Sequence, residues 1–100
     1  MYGTVARVRV LPGREKELTD ISEQMARGHD PASGQIADYL FKLDTGENEY
    51  IIVALFSDRE SYHRNAQAPE TGRQYEVLRA LLAADPEWND GEVVQENHYT

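Results

Sequence analysis

Four stretches of the chain carry β-branched and aromatic residues in the pattern of strands, at residues 3–10, 35–43, 49–56 and 92–97. The first stretch ends at the turn sequence Leu11-Pro12-Gly13, and a short polar segment containing Gly46 separates the second from the third. A glycine between two strand-like runs favours a hairpin, because it accepts positive φ without strain. The sequence therefore predicts four strands, of which the middle two form a hairpin.

The segments between these strands have the spacing of helices. In residues 14–26, apolar side chains recur at intervals of three and four, which is the pattern of an amphipathic helix. Residues 58–67 predict a second helix, and residues 69–82, which begin at a proline, predict a third helical segment. Ser57 and Glu60 fit a capping box, in which the serine accepts from the backbone and the glutamate reaches back.

The resulting order, β-α-β-β-α-β, is typical of an α+β, ferredoxin-like domain with a four-stranded antiparallel sheet. Helices cover one face of such a sheet. The run from Ile51 to Phe56 is apolar without alternation, and a strand of that kind is covered on both faces. We therefore expect a single domain over residues 1–100 that pairs with a second copy, sheet to sheet, as a two-fold homodimer.

Charge and composition argue against several kinds of partner. Eighteen acidic and ten basic residues give the 100-residue chain a net charge of −8, and a field of that sign repels nucleic acid. No stretch approaches the ~20 apolar residues that span a bilayer, and the start of the chain lacks the apolar core of a secretion signal. The chain has no cysteine, which fits a reducing compartment. We expect a cytoplasmic protein without nucleic-acid or membrane partners.

Several of these stretches together resemble a known family. They are residues 5–10 with Pro12 and Gly13, Gly34, residues 51–56 continuing into 57–62, and Pro69. The chain is similar in this pattern to the antibiotic biosynthesis monooxygenase superfamily of dimeric α+β barrels. The resemblance implies a homodimer with a pocket in each subunit between sheet and helices. It also implies, for some members, cofactor-free oxidation of quinols or polycyclic aromatic substrates by oxygen, while others degrade haem and many have no established activity.

The chain departs from the family pattern at several positions that carry function in relatives. Many members have a glutamate, one spacer and a tryptophan at the end of the third strand, where this chain has Ala54 and Phe56. The family's helix histidine corresponds to Asn65, and His63 lies two residues away, about 200° around a helix. The haem-degrading branch has an asparagine where this chain has Ala6. Haem degradation is therefore the least favoured activity.

Two side chains of the second predicted helix are the catalytic candidates. His63 would act as a general base on a phenolic proton, because imidazole titrates near neutrality; the alternative is a surface histidine beside Arg59 and Arg64. Asn65 shares a helix face with Tyr62 and would orient a carbonyl or a developing oxyanion. The alternative for Asn65 is a residue that ends the helix.

Aromatic side chains are the candidate contacts for a flat substrate, although aromatic residues in strands ordinarily belong to the core. The four substrate-binding candidates are Tyr39, Phe56, Tyr62 and Tyr75. His29 and His98 have no partner at the spacing of metal ligands, so no metal site is predicted. No glycine-rich nucleotide-binding motif is present, and we predict no cofactor.

Arg7 and Arg9 lie on one face of the first predicted strand. In an acidic chain, we expect such arginines to pair with carboxylates, with Asp38, Glu92 or Glu96 as candidates; binding of an anionic group is the alternative.

The sequence thus favours a cofactor-independent monooxygenase that oxidises a small hydroxylated aromatic or quinol with oxygen. The alternative is a non-catalytic homodimer, either stress-associated or binding a small ligand, that kept the barrel and lost the chemistry. The absence of the family's glutamate, tryptophan and histidine supports that alternative.

Overall fold

A computed structural model describes residues 1–99, so Thr100 of the predicted domain lies outside the described residues. Within residues 1–99, four strands and three α-helices follow one another along the chain. They are β1 (Tyr2–Arg9), α1 (Glu15–Arg27), β2 (Gln35–Lys42), β3 (Glu49–Phe56), α2 (Arg59–Gln67), α3 (Pro69–Arg79) and β4 (Glu87–Glu92). No helix in this part of the chain is long and apolar enough to cross a membrane.

The strands form one antiparallel sheet in the order β2-β3-β1-β4. β1 and β3 are the central strands, and α2 packs against both of them. The predicted α+β, ferredoxin-like fold is therefore confirmed. The hairpin strand β3 begins and ends where the sequence predicts, while β1 and α1 differ from their predicted bounds by one residue.

Alternation along β1 separates the two faces of the sheet. Thr4, Ala6 and Val8 are buried on the face covered by the helices, whereas Val5 and Arg7 are exposed on the other. The main apolar core lies under the helices at the end of the sheet where β1 finishes. Its buried members are Val8, Val10, Leu18, Tyr50, Leu81 and Leu82.

The opposite face, called here the bare face, carries apolar side chains without a helix above them. Cross-strand pairing places Val5 beside Val53, and Val53 beside Tyr39. Tyr39 and Phe41 are 56% and 57% exposed. The apolar side chains of β3 thus point alternately to the two faces of the sheet: one set lies under the helices, and the other set is half-buried on the bare face.

The last strand was predicted at residues 92–97, and this prediction is wrong: β4 is Glu87–Glu92. β4 pairs with β1 from Glu87 opposite Arg7 to Glu92 opposite Tyr2. Because β1 begins at Tyr2, residues after 93 have no neighbouring strand to join. Val94, whose apolar character suggested a strand, is 91% exposed.

The end of the third helix also differs from its prediction. α3 finishes at Arg79 rather than at residue 82, because the next residues bond to the end of β1 instead. Leu11 N donates to Leu81 O at 2.8 Å, and Val10 forms an isolated bridge with Leu82. Leu81 and Leu82 enter the core from the turn that follows α3.

The cap of α2 is Asp58, not the predicted Ser57. The Asp58 carboxylate accepts from Ser61 N at 2.7 Å, whereas Ser57 Oγ lies 3.4 Å from Ser61 Oγ. The backbone N–H of Ser61 lowers the pKa of Asp58, because it stabilises the charged carboxylate. The helix therefore begins one residue later than a serine cap predicts.

Candidate functional site

Four rings meet between α2 and the sheet, two carried by the helix and two by the strands. They are called here the aromatic cluster: Tyr2, Phe56, Tyr62 and His63. Tyr2 and Phe56 are direct partners across β1 and β3, and α2 begins just after β3, so Tyr62 is carried over both. The Tyr62 ring centroid lies 5.2 Å from that of Tyr2, 5.4 Å from Phe56 and 5.5 Å from His63. These distances are in the range of favourable aromatic pairs.

The hydroxyl of Tyr62 is tied to the neighbouring edge strand. It donates to Asp90 Oδ1 on β4 at 2.8 Å. Burial raises the pKa of Tyr62 to about 12, and the hydrogen bond to the Asp90 carboxylate acts in the same direction. Tyr62 therefore remains a protonated phenol, and a hydrogen-bond donor, throughout the physiological pH range.

Thr4 lies next to this pair on the same face of the sheet, where it is the cross-strand partner of Asp90. The Thr4 side chain is buried, with 4% of the residue exposed. Its hydroxyl is near enough to Tyr62 to favour the phenolate slightly, yet it has no hydrogen-bond partner of normal geometry among the described residues. A buried hydroxyl without a partner is uncommon in native proteins.

His63 stands at the rim of the cluster and is exposed. Its Nε2 accepts a hydrogen bond from Arg59 Nε at 3.3 Å, and the Arg59 guanidinium lies 5.8 Å from the centre of the Tyr2 ring. On the outer side of α2, His63 lines an open depression of about 560 Å³ with Arg59 and Arg64. The nitrogen that a general base would use is thus engaged by Arg59 in this arrangement.

Asn65 lies one turn after Tyr62 on the sheet-facing side of α2 and is half-buried. Its backbone oxygen accepts from Ala68 N at 3.1 Å, where the helix ends. Asn65 is therefore both near the cluster and at the helix end, and its role in orienting a substrate remains a prediction.

The other two predicted aromatic contacts lie elsewhere. The Tyr75 ring on α3 packs against Trp88 on β4, with centroids 6.3 Å apart. Tyr39 lies on the bare face opposite Val53. Val53 is three residues from Phe56 along β3, so Tyr39 and Phe56 lie on opposite sides of the sheet. Of the four aromatic candidates, the structure brings together Phe56 and Tyr62.

The expected pairing of Arg7 and Arg9 with a carboxylate is confirmed, but the partner is Glu49. Arg7 Nη2 lies 2.8 Å and Arg9 Nη2 3.4 Å from the Glu49 carboxylate, and the hydrogen bond from Arg7 lowers the pKa of Glu49. Glu49 is opposite Arg9 on β3, the strand adjacent to β1. The carboxylates predicted as partners were Asp38, Glu92 and Glu96. Asp38 is on β2, which does not adjoin β1.

Sequence reasoning missed Thr4 and Asp90 as members of the site. The last strand was predicted at residues 92–97, so Asp90 fell outside the predicted sheet. A strand placed at residues 87–92 would have set Asp90 opposite Thr4 and within reach of the helix above. No group of three or more histidine, aspartate or glutamate side chains in residues 1–99 is arranged to hold a metal ion.

Comparisons with known proteins agree with this fold. The family model of the antibiotic biosynthesis monooxygenases matches residues 1–76, as the resemblance predicted. Among curated proteins, none matches the chain at a significant level.

Solved structures of similar fold include SnoaB of Streptomyces nogalater, described as a cofactor-independent oxygenase. The two chains are 22% identical, with a TM-score of 0.80 over 95% of this chain and 94% of SnoaB. A candidate antibiotic biosynthesis monooxygenase from Deinococcus radiodurans is 11% identical, with a TM-score of 0.81 over 100% of this chain and 99% of that one. A Nitrosomonas europaea protein of unknown function is 17% identical, with a TM-score of 0.77 over 99% and 94%.

Proposed function

Because the chain belongs to the antibiotic biosynthesis monooxygenase family, we propose that it is a cytoplasmic, homodimeric, cofactor-independent oxygenase of a small hydroxylated aromatic or quinol. The observation that carries the proposal is the aromatic cluster together with the hydrogen bond between the Tyr62 phenol and the Asp90 carboxylate. These groups supply flat apolar walls and a polar anchor for a ring hydroxyl. The similarity in fold to SnoaB, a cofactor-independent oxygenase by its description, supports the same chemistry.

The chemistry needs only a base and a dry aromatic site, because the substrate itself supplies the electrons. A base removes the acidic proton, from the hydroxyl of a quinol or from the methylene carbon of an anthrone, and the resulting anion passes one electron to oxygen. The substrate radical and superoxide then combine at a ring carbon to form a peroxide. In an anthrone, the methylene carbon becomes a carbonyl: one oxygen atom stays on carbon, and the other leaves as water with the two hydrogens of that carbon.

Residues on α2 and the sheet take the roles in this proposal. His63 would be the base, and its Nε2 becomes available to the substrate when the hydrogen bond from Arg59 is broken. Asn65 would stabilise the developing oxyanion. Phe56 and Tyr62 would contact the ring. Tyr75, paired with Trp88 beside the same face of the sheet, would contact the far end of a larger ring system.

The homodimer is proposed from the bare face. Val5, Tyr39 and Phe41 are each about half exposed there, and together they form an apolar surface of the kind that a monomer rarely presents to water. If a second copy packs on this surface through the same side chains, two-fold symmetry covers the apolar surface of each subunit with that of the other. In this arrangement, Tyr39 contributes to the interface rather than to the substrate site of its own subunit.

An oxygen-electrode assay tests the proposal. Purified protein is mixed with a panel of hydroquinones and anthrones in buffer without added metal or flavin, and oxygen uptake is compared with that of heat-denatured protein. The proposal expects catalytic uptake with at least one substrate and formation of the carbonyl product. A panel that shows no uptake above the denatured control would contradict it.

A non-catalytic ligand-binding homodimer is the second candidate. It is favoured by the side chains that replace the family's glutamate and tryptophan, which are Ala54 and Phe56. Such a protein would bind an aromatic ligand in calorimetry and consume no oxygen with it, so the same panel separates the two functions.

A further inference from the structure

Tyr62 has the surroundings expected of a bound phenol. Its ring is held between Tyr2 and Phe56, edge-on to the latter at an interplanar angle of 77°, and its hydroxyl donates to a carboxylate. Aromatic walls with one well-placed acceptor are the usual composition of a site for a small hydroxylated ring. The chain thus contains a phenol of its own in the position where a phenolic ligand would fit.

The polar groups around this phenol exceed what Tyr62 uses. Tyr62 donates a hydrogen bond to Asp90, and the hydroxyl of Thr4, although more than nine-tenths buried, has no hydrogen bond of normal geometry in the described structure. Thr4 and Asp90 are cross-strand partners on the same face. A hydroxyl placed between them could donate to Asp90 and accept from Thr4 at once, which satisfies both groups.

Tyr62 is held in a way that allows it to move. The side chain is half-buried, it lies on a helix of nine residues, and the hydrogen bond to Asp90 is its tether to β4. Because the side chain is not fully enclosed, rotation about its side-chain bonds to another rotamer would release the site without unfolding α2.

We propose that the space filled by Tyr62 is a phenol-binding site, in which a ligand ring displaces the Tyr62 ring and its hydroxyl donates to Asp90 and accepts from Thr4. Asp90 is then the residue that selects hydroxylated over plain aromatic ligands. The assignment of this site to substrate rests on the proposed function, but the recognition of a phenol hydroxyl by Asp90 and Thr4 does not.

If the ligand displaces the Tyr62 ring, the hydrogen bond of Tyr62 to Asp90 lowers the affinity for the ligand. Tyr62 and the ligand compete for the same carboxylate, so weakening Tyr62's own hydrogen bond makes the ligand bind more tightly. A Tyr62 that instead contacts the ligand through its hydroxyl would lose affinity on the same change. Tyr62→Phe, which removes the hydroxyl and keeps the ring, separates these two roles.

The first experiment uses Tyr62→Ala, which empties the space, with phenol and benzene as probes in calorimetric titrations. We expect phenol to bind about tenfold more tightly than benzene, because a hydrogen bond to a charged group carries that preference. The preference should disappear in Tyr62→Ala/Asp90→Ala. It should persist in Tyr62→Ala/Glu87→Ala, which removes the same charge from the opposite face of β4. Equal binding of the two probes, or binding of neither, would overturn the proposal.

The second experiment keeps the ring in place, so it does not depend on the stability of the alanine variant. 1-Naphthol is titrated into the unsubstituted protein, into Tyr62→Phe, and into the matched control Tyr50→Phe, whose ring lies in the apolar core at the other end of the sheet. We expect Tyr62→Phe to bind 1-naphthol several-fold more tightly and Tyr50→Phe to match the unsubstituted protein. Unchanged or weaker binding by Tyr62→Phe would refute displacement.

Failure of the proposed function looks different from failure of this site. If the enzyme proposal is wrong, no member of the hydroquinone and anthrone panel is oxidised, while the phenol preference of Tyr62→Ala remains. If the site is wrong, that preference is absent, whatever the oxygen electrode records.

Discussion

The helix-covered face of the sheet has two ends of opposite character, although the same strands form both. At the core end, Val8 on β1 and Tyr50 on β3 are buried with Leu18 from α1, and apolar groups meet apolar groups. At the site end, Thr4 and Asp90 lie beneath Tyr62, and a buried hydroxyl remains without a partner in the described structure. The stability of the fold is thus concentrated at one end, and unused hydrogen-bonding capacity at the other.

This division has a physical reason. A buried polar group without a hydrogen bond lowers the free energy of unfolding. A sequence selected for stability alone would therefore have an apolar residue at position 4 instead of threonine. Strain or unsatisfied groups that persist in a native structure are commonly found where a protein binds or reacts. The comparison therefore predicts that substitutions at the core end lower stability, whereas those at the site end change activity and binding or, at Thr4, raise stability.

The largest effect on stability is expected from Leu18→Ala at the core end. Leu18 is buried among Val8, Val10 and the leucines that follow α3, and truncation leaves a cavity. The free energy of unfolding, from urea titrations followed by circular dichroism, should fall by about 3 kcal/mol. Val94→Ala, at an exposed position, should leave it unchanged; equal losses in the two variants would abolish the distinction.

At the rim of the site end, His63→Ala should lower the catalysed rate of oxygen uptake about a hundredfold if His63 is the base. Its stability should change little, because the side chain is exposed. His98→Ala, which removes an exposed histidine beside Glu96, is the control and should retain full activity. An unchanged rate in His63→Ala would remove His63 from the mechanism while leaving the reaction class open.

Thr4→Val should stabilise the protein, which is the opposite of the usual effect of altering a buried residue. Valine has the shape of threonine and removes the hydroxyl that lacks a partner, so the free energy of unfolding should rise by about 1 kcal/mol. Thr19→Val is the control and should not gain stability, because the Thr19 hydroxyl already donates to Lys16 O at 3.0 Å. A loss of stability in Thr4→Val would mean that its hydroxyl is satisfied.

The smallest effect concerns pH and the start of α2. The pKa of Asp58 is lowered in the folded chain, so its stabilising effect is present above the unfolded pKa of about 4. That contribution is lost as the pH falls through the lower folded value. Asp58→Asn keeps a capping side chain without the titration. Its melting temperature should match that of the unsubstituted protein at pH 7 and decrease less below pH 4; an identical decrease would contradict the assignment.

Local patterns were sufficient to predict most of the fold. The helical spacing of α1, the hairpin around Gly46 and the proline at the start of α3 are signals carried by neighbouring residues, and each element formed where its signal lay. Tyr62 was also expected to share a helix face with Asn65, and both are half-buried above the sheet. What depends on spacing within one element was therefore accessible from the sequence.

β4 and the polar part of the site were not accessible in this way. Residues 87–92 are all exposed and show no apolar alternation, so this edge strand is defined by its pairing with β1. Pairing also sets Asp90 opposite Thr4. Because neither residue has a local pattern that indicates the other, the site could be recognised only once the sheet was assembled.

The central claim is that the site end recognises a ring hydroxyl through Asp90. The most direct measurement is a calorimetric comparison of 1-naphthol with naphthalene, on the unsubstituted protein, Asp90→Ala and Glu87→Ala. The account predicts that 1-naphthol binds more tightly than naphthalene to the unsubstituted protein and to Glu87→Ala, and that Asp90→Ala does not distinguish them. A preference for 1-naphthol that survives in Asp90→Ala would contradict it.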